Sequence, residues 1–299
     1  MAAEQAPPVD WLQLEFPLGE LDAERVQAAL EALDALAVTM ADAADDPIYE
    51  PPPGATPLWQ RSRVTALFDP RSDRAGLIAL LEIALDAPLP NPRWTELADR
   101  DWAREWLKDF KPMRFGRRLW VVPTAYQAPE PGAVNLVLDP GLAFGTGSHP
   151  TTALCLEWLD AQTLSGKTVL DFGCGSGILA IAAALLGART VEALDLDPQA
   201  LSATAENAAR NAVAERLRIG LPEAGSAGPF DLLVANILAG PLVQLAPLLM
   251  GRIAQGAPFA LSGILADQAA EVASAYAPFA TMAPPVQRGD WIRLDGLRH

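Results

Sequence analysis

The sequence predicts an α/β protein in which a doubly wound parallel sheet fills the second half of the chain and a smaller α+β domain precedes it. Three observations carry this expectation. From Thr168 onward, short apolar strand runs alternate with helical patterns, and runs such as FDLLVA (230–235) are nearly continuous in apolar residues, as parallel strands buried on both faces require. One strand, VLDF (169–172), empties into a glycine-rich turn, GCGSG (173–177). The first hundred residues carry a different order of elements with a shorter repeat.

In that first segment Val9 to Phe16 reads as a strand and Leu21 to Leu36 as a helix with Val26, Leu30 and Leu33 on one face, followed by an apolar run to Met40. Pro47 to Pro57, containing Pro51, Pro52, Pro53 and Gly54, must be a loop. Arg63 to Phe68 is strand-like, Arg74 to Leu85 helical, and Arg93 to Leu97 a last strand. The resulting order, βαββαβ, predicts a ferredoxin-like domain over residues 1–98. Asp99 to Phe110 (DRDWAREWLKDF) pairs Trp102 with Trp106 at i and i+4 and predicts a linker helix within 99–115. Residues 116–299 form the second domain. There the strands are TVLDF, TVEALDLD, RLRIG, FDLLVAN, APFALSG and Trp291 to Leu294. Between them run helices to Leu186, from Gln199 to Asn211, from Pro241 to Met250 and around Asp267 to Ala275.

Composition narrows the function classes. The 299 residues are 51% hydrophobic, which suits two domains with real cores. No run of eighteen apolar residues occurs and the start of the chain lacks a basic region followed by an apolar stretch, so neither a membrane span nor a secretory signal is expected, and the compartment expected is the cytoplasm. Two cysteines, Cys155 and Cys174, and two histidines, His149 and His299, are too few for an ordinary Cys/His zinc site, so no metal is expected. The net charge is −15, and residues 1 to 110 hold 21 acids against 9 bases. Phosphate neutralisation needs clustered Lys and Arg, so stable nucleic-acid binding is not expected, and a basic protein is the better partner. Lys111, Arg114, Arg117 and Arg118 form the one basic cluster, read as solvated or paired with the acidic first domain.

The chemistry is concentrated in four places. Gly173, Gly175 and Gly177 follow Asp171 at a strand-to-helix turn, where glycine permits a sharp bend and close approach of backbone to ligand. The spacing D-x-G-x-G-x-G resembles that of methyltransferases that use S-adenosylmethionine rather than the G-x-G-x-x-G of nicotinamide sites. Asp195 ends the next strand, 22 positions beyond Gly173, where a carboxylate can accept both hydroxyls of a ribose. Asp197, before Pro198, reads as the cap of the following helix. Upstream, LDPGLAFGTGSHPTTALCLEWLD (138–160) is a loop with Gly141, Gly145 and Gly147 running into a helix at Pro150. Thr151 and Thr152 offer hydroxyls at its N-terminus, one for capping and Thr152 for ligand contact. Asn236 ends the strand expected beside the first, at the topological switch point, where its carboxamide oxygen can accept from an attacking amine.

These segments, with WAREWLKDFKPMRFGRRLWVVP (102–123) and VANILAGPL (234–242), closely resemble the bacterial PrmA methyltransferases, which modify the eleventh protein of the large ribosomal subunit. The resemblance implies a class I S-adenosylmethionine-dependent methyltransferase domain behind an N-terminal substrate-recognition domain. It also implies methylation, up to trimethylation, of lysine and N-terminal amino groups. Carried over by position, the cofactor contacts fall on Thr152, Gly173, Gly175, Asp195 and Asn236, with Asn236 also catalytic. Ser148 stands where the family more often has threonine, and the hydroxyl is kept. The first hundred residues match the family only loosely. A monomer is expected.

Lysine, with a reference pKa near 10.4, must lose a proton before attack, at a cost of roughly 4 to 5 kcal/mol at pH 7. A positive sulfonium about 4 Å away repels an ammonium by about 4 kcal/mol at an effective dielectric near 20, so no dedicated base is required, and His149 reads as loop-positioning. Two other classes share parts of this pattern: a nucleic-acid amine methyltransferase, which commonly carries Asn-Pro-Pro-aromatic where this chain has Asn236-Ile237-Leu238-Ala239, and a non-catalytic scaffold.

Overall fold

The computed structural model describes residues 10–44, 59, 61–98, 111–139 and 147–299. The proline-rich stretch 47–57, the helical pattern 99–110 with Trp102 and Trp106, and Gly141 and Gly145 lie outside the described residues. The chain divides into two compact units, residues 1–102 and 103–299.

The first unit runs β1 (Trp11–Pro17), α1 (Ala23–Ala32), β2 (Ala37–Asp42), β3 (Ser62–Phe68), α2 (Arg74–Leu85) and β4 (Arg93–Leu97), the βαββαβ order expected. Strict alternation in β1 buries Leu12, Leu14 and Phe16 while Gln13 and Glu15 face the other way. The sheet order is β2-β3-β1-β4 with every neighbouring pair antiparallel. Each βαβ half therefore encloses a strand of the other. Asp22 and Asp73 cap the two helices, accepting from the N–H groups of Arg25 at 2.8 Å and Ala75 at 3.1 Å. The first helix is shorter than its periodicity suggested, because Asp34 takes φ +62 and turns the chain out of the helix. Val26 and Leu30, fully buried, join Leu81 and Leu85 over the sheet.

The second unit opens with a small sheet of β5 (Met113–Phe115), β6 (Leu119–Val122) and β7 (Val134–Val137). Residues 113–115, which the sequence reading placed in the linker, are thus a strand, turned back onto β6 through Gly116 at φ +67. Next come α3 (Pro150–Ala161), β8 (Thr168–Phe172), α4 (Ile178–Leu185), β9 (Thr190–Leu194), α5 (Pro198–Arg210), β10 (Leu217–Gly220), β11 (Leu232–Asn236), α6 (Ala239–Arg252), β12 (Pro258–Leu265) and α7 (Ala269–Tyr276). Three strands close the chain: β13 (Ala280–Met282), β14 (Val286–Arg288) and β15 (Trp291–Arg298). The large sheet has the order β10-β9-β8-β11-β12-β15-β13, with β14 paired to β15. From β10 to β12 all neighbours are parallel, and β15 runs antiparallel to β12. The chain steps outward from β8 to β10 and returns to β11 beside β8, so the switch point lies between β8 and β11. Alternate strand residues go to opposite faces: Val169 and Val234 pack with α3 and α4, Leu170 and Leu233 with α6 and α7.

Three details depart from expectation. Helix α6 begins two residues before Pro241, which sits in the first turn, where its missing N–H costs nothing. Strands β13 and β14 are too short to show a period. Two side chains of the basic cluster pair within their own unit: the nearly buried Asp160 carboxylate accepts from the backbone N–H groups of Arg117 at 2.7 Å and Arg118 at 3.3 Å and from Arg118 Nε at 3.2 Å, while Arg114 reaches Glu130. That carboxylate fastens the β5–β6 turn to the end of α3. Asp160→Ala strands these donors, and urea denaturation should show the second unit destabilised by about 2–3 kcal/mol; a loss below 0.5 kcal/mol would show that water replaces the carboxylate.

Candidate functional site

The glycine turn after β8 is held by β9. Parallel pairing sets Phe172 opposite Leu194, so both strands end at the same level. The Leu194 carbonyl accepts from the N–H groups of Gly173 at 2.7 Å and Cys174 at 3.0 Å, and Asp195 Oδ2 accepts from Gly175 N–H at 2.8 Å. Asp195 Oδ1 accepts from Asp197 N–H at 3.0 Å, and Asp197 caps α5 as expected, accepting from Gln199 N–H at 2.8 Å. Gly173, Gly175 and Gly177 all have positive φ, and a Cβ at Gly177 would fall 2.7 Å from Thr204. Helix α5 braces the far side of the turn. Thr204 Oγ1 donates to the Gly175 carbonyl at 3.0 Å and Asn207 Nδ2 to the Ser176 carbonyl at 2.9 Å. One turn on, Asn211 matches β7 like a strand, accepting from Val137 N–H and donating to its carbonyl.

A cavity of about 320 Å³ opens above this turn, and all five residues singled out in the sequence, Thr152, Gly173, Gly175, Asp195 and Asn236, line it. Asn236, the last residue of β11, donates from Nδ2 to Thr152 Oγ1 at 3.3 Å. The walls are apolar, with Leu196 after β9, Pro222 after β10 and Leu245 on α6. The sequence reading missed these wall residues, and it missed Thr204 and Asn207, whose signal was two polar positions, i and i+3, on the buried face of a helix. Neither threonine at the start of α3 is its cap. The cap is His149, whose Nδ1 lies 2.7 Å from Thr151 Oγ1 and 3.4 Å from Thr151 N–H, with the ring edge-on to Trp291 at 4.9 Å. Burial lowers the His149 pKa and favours the neutral ring.

The electrostatics of the turn select its ligand. Its first three N–H groups are already taken by Leu194 and Asp195, and a second carboxylate, Asp171, lies fully buried beneath it in β8. A pyrophosphate would meet the Asp195 carboxylate and few free amides there, whereas a cation with ribose hydroxyls suits both the charge and the acceptors. Asp195 fits the hydroxyls and the apolar walls fit a flat base, so the donor set accommodates S-adenosylmethionine. Burial pushes Asp171 up to about 7, the Asp195 charge adds to the rise, and the Ala180 N–H opposes it.

Between the ordinary value of 3.8 and about 7 the folded protein keeps a proton that the unfolded chain has lost, so this group's contribution to stability falls as pH rises through that window. Thermal melts of ligand-free Asp171→Asn against wild type should therefore diverge. The variant gains about 5 °C or more over wild type on going from pH 5 to pH 8, and an unchanged difference at the two pH values would refute the buried titration.

Residues 10–299 match the family described as Ribosomal protein L11 methyltransferase (PrmA). A protein of that name from Azotobacter vinelandii is 53% identical over 289 residues, covering 96% of this chain and 99% of the relative. One from Pseudomonas aeruginosa strain LESB58 is 54% identical, covering 96% and 98%. Among solved structures, the ribosomal protein L11 methylase of Lactobacillus delbrueckii subsp. bulgaricus is 36% identical with a TM-score of 0.58, covering 63% of this chain and 99% of that one. Matched along nearly its whole length, the chain belongs to the PrmA family of ribosomal protein L11 methyltransferases.

Proposed function

We propose that the protein transfers methyl groups from S-adenosylmethionine to amino groups of ribosomal protein L11, namely lysine side chains and the N-terminal amine, up to three on each. The observation that carries this reading is the pairing across one cavity of a carboxylate beside the glycine turn, Asp195, with a carboxamide, Asn236, whose Nδ2 is held by Thr152. When bound, the cofactor supplies a methyl group on positively charged sulfur. The chain's own residues bind and aim. Asp195 grips the sugar and holds the turn, Gly173 and Gly175 bring bare backbone against the ligand, and Thr152 holds the Asn236 amide so that Oδ1 accepts from the amine and directs its lone pair. Residues 116–299, together with β5, carry the transfer, and residues 1–98 dock the substrate, where the excess of acids suits a basic ribosomal protein. The reading includes a monomer acting in the cytoplasm. A nucleic-acid substrate is disfavoured because Asn236 is followed by Ile237 and Leu238, which offer no aromatic face for a base.

Labelled S-adenosylmethionine offered with L11 or with ribosomal RNA tests the substrate, and label on RNA alone would refute the reading. Asp195→Ala should weaken binding of S-adenosylhomocysteine at least 30-fold by calorimetry. Asn236→Ala should lower kcat about 100-fold or more while leaving that affinity within tenfold. His149→Gln should keep turnover within tenfold across pH 7–9. A loss of several powers of ten would make the imidazole a base.

A further inference from the structure

Strands β11 and β12 pair in parallel as far as Asn236 opposite Ser262. Just beyond, the register of β12 on β15 shifts between Leu261 and Ile264, and the buried Ser262 hydroxyl fills the gap by donating to the Ile292 carbonyl at 3.1 Å. The bulge puts Gly263 at φ +84. A Cβ on Gly263 would strike the Ile237 carbonyl oxygen and fall 2.8 Å from its carbon and 3.2 Å from the Ile237 nitrogen. On the opposite flank, a Cβ on Gly173, at φ +80, would strike Ile237 Cγ2. Ile237 is therefore clasped by two glycines from the strands on either side, its peptide lying on one and its side chain on the other. Asn236 is the residue immediately before it.

We infer that Gly263, which does not line the cofactor cavity, is a positioning residue for methyl transfer: its bare backbone seats the Ile237 peptide and so fixes the direction in which Asn236 presents its carboxamide oxygen. The inference rests on the amine-transfer reading of the site. Repeated methylation makes the direction matter, because each added methyl leaves the amine fewer orientations in which its lone pair meets the donor. A seat that shifts by a few tenths of an ångström reaches Asn236 through a single Cα, while Asp195 and Gly175 lie in the turns after β9 and β8.

The test uses the full chain with L11 and S-adenosylmethionine. Gly263→Ala should lower kcat at least 30-fold, hold the Kd for S-adenosylhomocysteine within tenfold, and shift the products seen by mass spectrometry from trimethyl toward monomethyl. Ser262→Ala loosens the same bulge without pushing on Ile237, and should lower Tm with kcat within threefold of wild type. The two glycine contacts differ in kind, which supplies a second test should Gly263→Ala fail to fold. Because a Cβ at Gly263 meets the Ile237 peptide and not its side chain, no side-chain change at 237 should restore folding or kcat in Gly263→Ala. Gly263→Ala with kcat within threefold of wild type, or with affinity and kcat falling together, overturns the inference, as does rescue of Gly263→Ala by a smaller side chain at 237. Wild type that labels no L11 overturns the functional reading beneath it instead.

Discussion

The site depends on one set of hydrogen bonds, those that tie the turn after β8 to the end of β9. Because the two strands are parallel and in register, the Leu194 carbonyl and the Asp195 carboxylate arrive together beside the turn and take its first three N–H groups. This does two things at once. It shapes the turn, since backbone drawn into those bonds must adopt left-handed φ values that glycine tolerates at no steric cost. It also gives the turn a negative character, since amides that would hold a phosphate are spent on the Leu194 carbonyl and the Asp195 carboxylate. The same supersecondary unit that cradles dinucleotides elsewhere is thereby set for a cationic ligand.

Much of this was readable from residues alone, for identifiable reasons. The strands β8, β9 and β11 are short, mostly apolar runs ending at Phe172-Gly173, Leu194-Asp195 and Asn236, and buried parallel strands announce themselves in that way. Helix α2 and strand β4 fall on the residues expected, because Asp73 marks one start and turn residues bound the other. The basic cluster at 114–118 misled, since nothing in its spacing shows that Asp160, more than forty positions on, would draw it to the end of α3. Short strands such as β5, β13 and β14 hold too few residues for alternation to appear. The seat of Ile237 was also hidden, because a glycine needed by a distant backbone looks like any other glycine in a strand, and the bulge that creates the need arises only when β15 returns against β12.

Helix α5 shows how polar residues can serve a core. Thr204, Asn207 and Asn211 descend one side of an otherwise alanine-rich helix and bond successively to the glycine turn and to β7. Each closes a backbone group that a loop would leave open. The small sheet and the turn are thereby referred to one rigid rod, and both share its position relative to the cavity.

Both cysteines are buried, Cys155 on the inner side of α3 and Cys174 within the glycine turn, and burial pushes each thiol up to about 12. At neutral pH hardly any thiolate exists to meet an alkylating reagent. The native chain is therefore a silent background for maleimide chemistry: one cysteine introduced on an exposed strand of the first unit would accept a fluorophore or crosslinker alone, and the path of an arriving substrate could be followed without deleting either natural sulfur.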